Sequence, residues 1–170
     1  MKRALENLFR YPVALAIAAF AATFAVIAGV AHLVESDLAR QSRLMNVSCR
    51  GPAGTGPDAM LVGFVVSDHP QTVVVRGLGP SLARGGNPAA LAEPRLRVVR
   101  NHDGTDVGRN EQWRVPGNER LWGDLKHLAP PDPNDSACVL SLPPGGYSAL
   151  IESRNGAKGI ASIEIFVIKR

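Results

Sequence analysis

A run of twenty-four residues, Tyr11 to Val34 (YPVALAIAAFAATFAVIAGVAHLV), carries no formally charged side chain and is bounded by Arg10 and Glu35. At about 1.5 Å of rise per helical residue it is long enough to cross a hydrocarbon core of roughly 30 Å. A core helix of a water-soluble domain rarely stays apolar for this length. The run therefore predicts one transmembrane helix over residues 11–34. The rest of the chain is to be read as something held at a membrane.

The flanks give the expected orientation. Lys2, Arg3 and Arg10 outnumber Glu6 before the run, whereas Glu35 and Asp37 come before the next arginine after it. The positive-inside bias places residues 1–10 in the cytoplasm and the C-terminal domain outside it, which in a bacterium is the periplasm of an inner-membrane protein. A secretory signal shares the basic start, and Ala28 or Ala31 could serve as its cleavage position. Signal h-regions run only about 7–15 residues, so the length favours an uncleaved anchor.

Small residues recur along the helix. Ala14, Ala18 and Ala22 are four apart, and Ala25 and Gly29 make a similar stripe. That spacing lets a second helix approach closely, so these five are the candidate helix-packing positions; alanine is also an ordinary filler in such anchors. His32 is the one ionisable residue in the run. Its place near the outer end lets interfacial water satisfy it. The Ala28-x-x-x-His32 spacing also resembles that of antenna polypeptides, whose histidine ligates bacteriochlorophyll magnesium.

Residues 35–43 (ESDLARQSR) read as a polar stalk. Beyond it the pattern changes to period two. Met45, Val47 and Cys49 alternate with polar residues, and strands are expected near 45–50, 60–67, 71–78, 95–99, 105–109, 136–142, 147–153 and 159–168. MLVGFVVS at 60–67 is nearly continuous in apolar residues and reads as a central strand. With its neighbours it forms a short meander, turned at Asp68-His69-Pro70. Asp103-Gly104 is a hairpin signal, because both types tolerate positive φ. PGNERLWGDLKH at 117–128 reads as a short helix with Leu121, Trp122 and Leu125 on one face. The expected fold is mainly β: an antiparallel β-sandwich of about eight strands over residues 44–170, behind one N-terminal helix.

Composition narrows the function classes. After residue 35 there remain 16 basic and 13 acidic side chains, about +3 and spread along the chain. A nucleic-acid footprint needs a clustered basic face. Aromatic residues are 5% of the chain, too few for stacking platforms. Two cysteines, Cys49 and Cys138, fit no zinc spacing. Both fall on inward faces by parity. They could pair in an oxidising compartment if their strands are adjacent. Such a bridge would stabilise by roughly 4–5 kcal/mol in the chain-entropy account; two unpaired core thiols is the alternative.

No catalytic constellation is legible. Ser81 sits in Gly-Pro-Ser-Leu-Ala rather than in a nucleophile elbow. His69, His102 and His127 are isolated, each in a loop. The glycine-rich GPAGTGPD lacks the Lys-Ser/Thr of a phosphate loop and reads as a turn. The chain is accordingly read as a non-enzyme. Two oxygen-rich loops are candidates for calcium, Asn101/Asp103/Asp106 and Asp132/Asn134/Asp135. Neither has the twelve-residue calcium-loop spacing, and turn chemistry also explains them.

Several short elements occur in a recognisable order: Asn46-Val47-Ser48-Cys49-Arg50-Gly51, Gly54-Thr55-Gly56, Gly63-Phe64, Arg76-Gly77-Leu78-Gly79-Pro80-Ser81-Leu82, Pro94 with Leu96, Trp113, and Leu142-Pro143-Pro144-Gly145-Gly146-Tyr147. Over residues 44–168 this resembles a β-rich domain of large secreted and cell-surface bacterial proteins, whose pattern is roughly NxSxRGxxGTG, GFxxxG, VxxRAxGPSL, DPxL, NDxW and LxPGxY. The resemblance implies a β fold and an extracytoplasmic location, and no reaction. The chain departs from the pattern in standing alone behind an anchor, in having Cys49 at a small polar position, and in reading Asn110-Glu111-Gln112-Trp113 at the acidic tryptophan element.

Two function classes follow. One is an accessory subunit of a larger membrane complex, its helix packed on partner helices and its β domain bracing the outer side. The apolar outer face near Phe166 favours this class. The other is an independent anchored module that binds envelope carbohydrate or protein. A pigment-protein subunit with His32 as ligand is a third reading. The expected partners are integral membrane proteins and the bilayer, not nucleic acid.

Overall fold

Strand parity and turn chemistry build two four-stranded sheets in the computed structural model. It describes Val30, residues 46–114 and residues 122–168. The expected transmembrane helix, its packing residues, His32 and the stalk lie outside the described residues, Val30 apart. No helix among the described residues is long and apolar enough to cross a membrane. The chain divides into two units, Met1–Leu44 and Met45–Arg170, and the sheets belong to the second.

Eight strands are described: β1 (Asn46–Ala53), β2 (Met60–Val66), β3 (Gln71–Leu78), β4 (Pro94–Arg100), β5 (Thr105–Asn110), β6 (Ser136–Leu142), β7 (Gly145–Ser153) and β8 (Gly159–Ile168), with a one-turn helix α1 (Pro80–Arg84) after β3. One sheet has the order β1-β8-β3-β6 and the other β2-β7-β4-β5. All described pairings between named strands are antiparallel. The expected sandwich of eight strands is what forms.

Between the sheets lies the main core. Val73 and Val75 of β3, Leu96 and Val98 of β4, Tyr147, Ala149 and Ile151 of β7, and Ala161, Ile163 and Ile165 of β8 are almost fully enclosed. Each set alternates along its strand, as period two requires of a sheet with one face inward. A second cluster covers the outer face of the β1-β8-β3-β6 sheet. Val74, Ala137 and Trp122 are buried there, with Trp113, Leu125, Leu128, Val139, Phe166 and Ile168 against them. The apolar outer face near Phe166 is thus covered by the chain itself and is not a free docking face. Of the expected helix at 117–128, residues 117–121 are not described, and Gly123–Leu128 forms 3-10 turns.

Two expectations about the sheets are corrected. β1, β2 and β3 are not a meander: β2 lies in one sheet, with β1 and β3 in the other. The turn at residues 67–70 is a crossover, with Asp68 at φ 65°. Nor is β2 central. Among the described strands it pairs only with β7, at the edge. A continuous apolar run suits a strand covered on both faces, yet Leu61 and Val65 are 58% and 77% exposed.

The hairpin at Asp103-Gly104 forms between β4 and β5, with Gly104 at φ +70° and its N–H donating to Arg100 O at 2.9 Å.

Candidate functional site

Three of the conspicuous sequence elements converge on one buried polar joint. β3 ends at Gly77-Leu78, Gly79 follows, and Pro80 opens α1 with its fixed φ. A Cβ on Gly79 would lie 2.0 Å from Leu91 O, so only glycine lets the two backbones approach. Asp135 is fully buried and closes the first turn of α1. Its Oδ1 accepts the N–H groups of Gly79 at 2.9 Å and Ser81 at 3.2 Å. Its Oδ2 accepts the Ser81 hydroxyl. That hydroxyl in turn accepts the Asp132 N–H at 3.1 Å.

The tryptophan element locks the same joint from the other side. Trp113 donates its backbone N–H to Asp135 O at 2.8 Å and its ring Nε1–H to Asp132 O at 2.7 Å. Asn110 Oδ1 accepts Ala137 N–H at 2.9 Å. Arg84 Nε stands 3.0 Å from Asp132 Oδ2. Ser81 is therefore held by two aspartates, with no histidine in the set, and the side chain that caps the first turn of α1 is Asp135. The loop at 132–135, read as an alternative calcium site, spends its side-chain oxygens on backbone N–H groups, the Ser81 hydroxyl, the Gln112 amide and Arg84.

Arg76, the first residue of the same motif, organises the outer layer. Its guanidinium pairs with Glu164 on β8, Nε to Oε2 at 2.8 Å, and donates from Nη1 to Leu128 O at 2.9 Å. It lies 4.8 Å over the Phe166 ring centroid. One side chain thus ties β3, β8 and the segment at 123–129 together. The sequence reading missed Glu164, because the partner is 88 residues away and only the register of β3 on β8 sets Arg76 beside it.

At the same end of the sandwich lies an open polar cleft of about 320 Å³, lined by Ala92, Glu93, Glu111, Gln112, Asn134 and Arg154. Arg154 bridges the two acids, Nη2 to Glu93 at 3.0 Å and Nη1 to Glu111 at 3.4 Å. Arg95 Nε holds Glu111 at 2.9 Å. Gln112 Nε2 donates to Asn134 at 3.1 Å. Burial works to raise the Glu111 pKa, but the hydrogen bond and charge of Arg95, joined by Arg154, hold it below its ordinary value. The cleft offers a charged fork and amides to a polar ligand. Its residues come from four separate segments, and only the fold brings them together.

The calcium candidates at the β4–β5 hairpin are not brought together as a ligand set. Asp103 is held by Arg100, Nη2 to Oδ2 at 2.7 Å. Asp106 pairs with Arg97 at 2.9 Å. Asn101 Oδ1 accepts the Ser148 hydroxyl at 2.9 Å. The hydrogen bond from Arg100, with further help from Thr105, holds the Asp103 carboxyl well below the usual range. Among the described residues no group of three or more His, Cys, Asp or Glu side chains is arranged to hold a metal.

Nor do the cysteines meet. Cys49 is on β1 and Cys138 on β6, at opposite edges of one sheet with β8 and β3 between them. Three interstrand steps of about 4.8 Å separate them by roughly 14 Å, twice the reach of a disulfide. Both are free. Burial pushes the Cys138 thiol up to about 12, so it carries little thiolate near neutral pH. Of the two alternatives, a bridge or two unpaired thiols, the strand order leaves the second.

The Leu142-Pro143-Pro144-Gly145-Gly146-Tyr147 element is structural too. Tyr147 is fully buried, stacks on Phe64 with centroids 5.5 Å apart and donates its hydroxyl to Pro143 O at 2.8 Å.

No family model matches the chain, and no curated protein does. Among solved structures, a pre-peptidase C-terminal domain of a collagenase from Bacillus anthracis is similar at 11% identity and TM-score 0.45, covering 71% of this chain and 89% of that one. PliG from Aeromonas hydrophila, a periplasmic inhibitor of g-type lysozyme, is similar at 13% identity and TM-score 0.44, covering 73% and 87%. Both are distant likenesses to small β-sandwich domains.

Proposed function

We propose that the chain is a single-pass accessory subunit of a bacterial membrane complex, with residues 11–34 packed on partner helices and the β-sandwich bracing the complex on the periplasmic side. The observation that carries this reading is the uncharged run of twenty-four residues between Arg10 and Glu35. The small-residue stripe at Ala14, Ala18, Ala22, Ala25 and Gly29 supports helix–helix contact. The conspicuous motifs of the sandwich support a bracing part, since Arg76, Gly79, Ser81, Asp135 and Tyr147 are all engaged within the domain.

Extraction tests the proposal. The full chain is expected to stay with membranes through an alkaline carbonate wash. In mild detergent it should co-purify with other membrane proteins at fixed stoichiometry. Release by carbonate, or a particle that holds only this chain, would sink it.

The open cleft between Glu93, Glu111 and Arg154 favours the second reading, an anchored module that binds a polar envelope ligand such as a carbohydrate. In that reading Arg154→Ala abolishes retention of the full chain on immobilised envelope glycan. Equal retention of both proteins removes it. The pigment reading has its own test. Absorbance that follows the protein and is lost in His32→Leu supports it, and unchanged absorbance ends it.

A further inference from the structure

The four sheet edges differ in how they are protected. β1 carries Arg50 and Pro52, and β5 carries Asp106 and Arg109 beside a bulge at Val98/Val99. Charges, prolines and bulges are what keep an exposed edge from pairing with another chain. β6 is covered on its outer face by Trp122, and its Ala137 N–H is taken by Asn110. Among the described residues, β2 has none of these devices. Its sequence is MLVGFVV, all apolar apart from the glycine. It pairs only with β7 among the described strands. Six of its seven residues keep solvent exposure, Leu61 and Val65 most of all, and Val66 alone is buried.

β2 is also symmetric about its midpoint. Gly63 is the fourth of the seven residues from Met60 to Val66. An antiparallel pairing of two copies centred there sets Gly63 against Gly63, Leu61 against Val65 on the outer face, and Val62 against Phe64 on the inner face. Every position finds an apolar partner and no like charges meet. The fold itself does not demand a glycine at this position. A Cβ on Gly63 would meet nothing nearer than Tyr147 O at 3.9 Å. Glycine inside a strand often marks close approach by another backbone.

We propose that β2 is a self-association edge. Two copies of this chain pair β2 against β2 about a two-fold axis through Gly63 and join their four-stranded sheets into one of eight. A self-complementary strand suits the isologous contact of a two-fold dimer. The proposal rests on the sandwich alone and stands whether or not the chain belongs to a membrane complex.

Cysteine crosslinking of the full chain in detergent, under mild oxidation, tests it, with the native chain and its two cysteines as control. Opposed residues of antiparallel strands lie about 4.5–5.5 Å apart at Cα, within disulfide reach. Gly63→Cys is expected to convert monomer into covalent dimer. Leu61→Cys alone should not, whereas Leu61→Cys mixed with Val65→Cys should. Val65→Lys added to Gly63→Cys should remove the crosslink. It should leave the thermal midpoint unchanged, because Val65 is 77% exposed. Failure of Gly63→Cys to crosslink, equal crosslinking of Leu61→Cys and Gly63→Cys, or survival of the crosslink with Val65→Lys would each overturn the proposal.

Discussion

Two glycines two residues apart, Gly77 near the end of β3 and Gly79 just past it, differ sharply in what a methyl group would meet. At Gly79 the obstacle is backbone, Leu91 O at 2.0 Å; at Gly77 it is the mobile tip of Ile151, Cδ1 at 2.7 Å. Gly79→Ala is therefore expected to destabilise by more than about 3 kcal/mol and Gly77→Ala by about 1–2 kcal/mol, read by urea unfolding. Asp135→Ala strands three donors in a dry joint and should cost about 3 kcal/mol or more. Ser81→Ala removes one of those donors, leaves the Asp132 N–H without its acceptor, and should cost less, about 1–2 kcal/mol. If the two variants unfold alike, Asp135 is not the cap described. At the surface, Asp103 titrates below its ordinary value because of Arg100. A lowered folded pKa contributes stability above the unfolded value, about 3.9, and that contribution is lost as pH falls through the folded pKa. Arg100→Gln should move the Asp103 midpoint upward in a carboxyl-detected NMR titration; an unmoved midpoint would refute the pair.

The cysteines make their point at the scale of elements. Parity put both on inward faces, and Cys138 does join the main core. Pairing needs adjacent strands, and strand order is not written in any one strand. With β8 and β3 intervening, both thiols are expected to be alkylated after denaturation without a reductant, as read by mass. Recovery of a 49–138 crosslinked peptide would contradict the sheet order. The same distinction explains β2. Its apolar run is legible as a strand, but whether a strand is central or at an edge depends on what lies beside it.

Trp122 anchors the outer layer of the sandwich. The sandwich has a core between its sheets, and a second, smaller one outside, where Trp122 packs on Val74 and Ala137 and meets Trp113 edge-on at 5.4 Å. Trp122→Ala should cost about 3–5 kcal/mol. It should also loosen hydrogen-exchange protection in β6 more than in β2, because β2 lies on the other sheet. Uniform loss across both sheets would argue against a separate outer cluster. Arg76 belongs to the same layer, so Arg76→Ala should expose the 123–129 segment to early proteolysis.

Local chemistry was enough to determine from sequence that there are eight strands, where most of them lie, which faces turn inward, and that Asp103-Gly104 closes a hairpin. Side-chain alternation and turn residues act over two to four positions, so a single chain displays them. The uncharged run at 11–34 is legible for the same reason. Only the tertiary structure decided the sheet order, the edge position of β2, the separation of Cys49 from Cys138, the pairing of Arg76 with Glu164 and the cleft between Glu93, Glu111 and Arg154. These depend on the register of strands far apart in the chain, and backbone hydrogen bonding is nearly indifferent to which strand supplies the partner. The packing of both sheets against one core makes that choice.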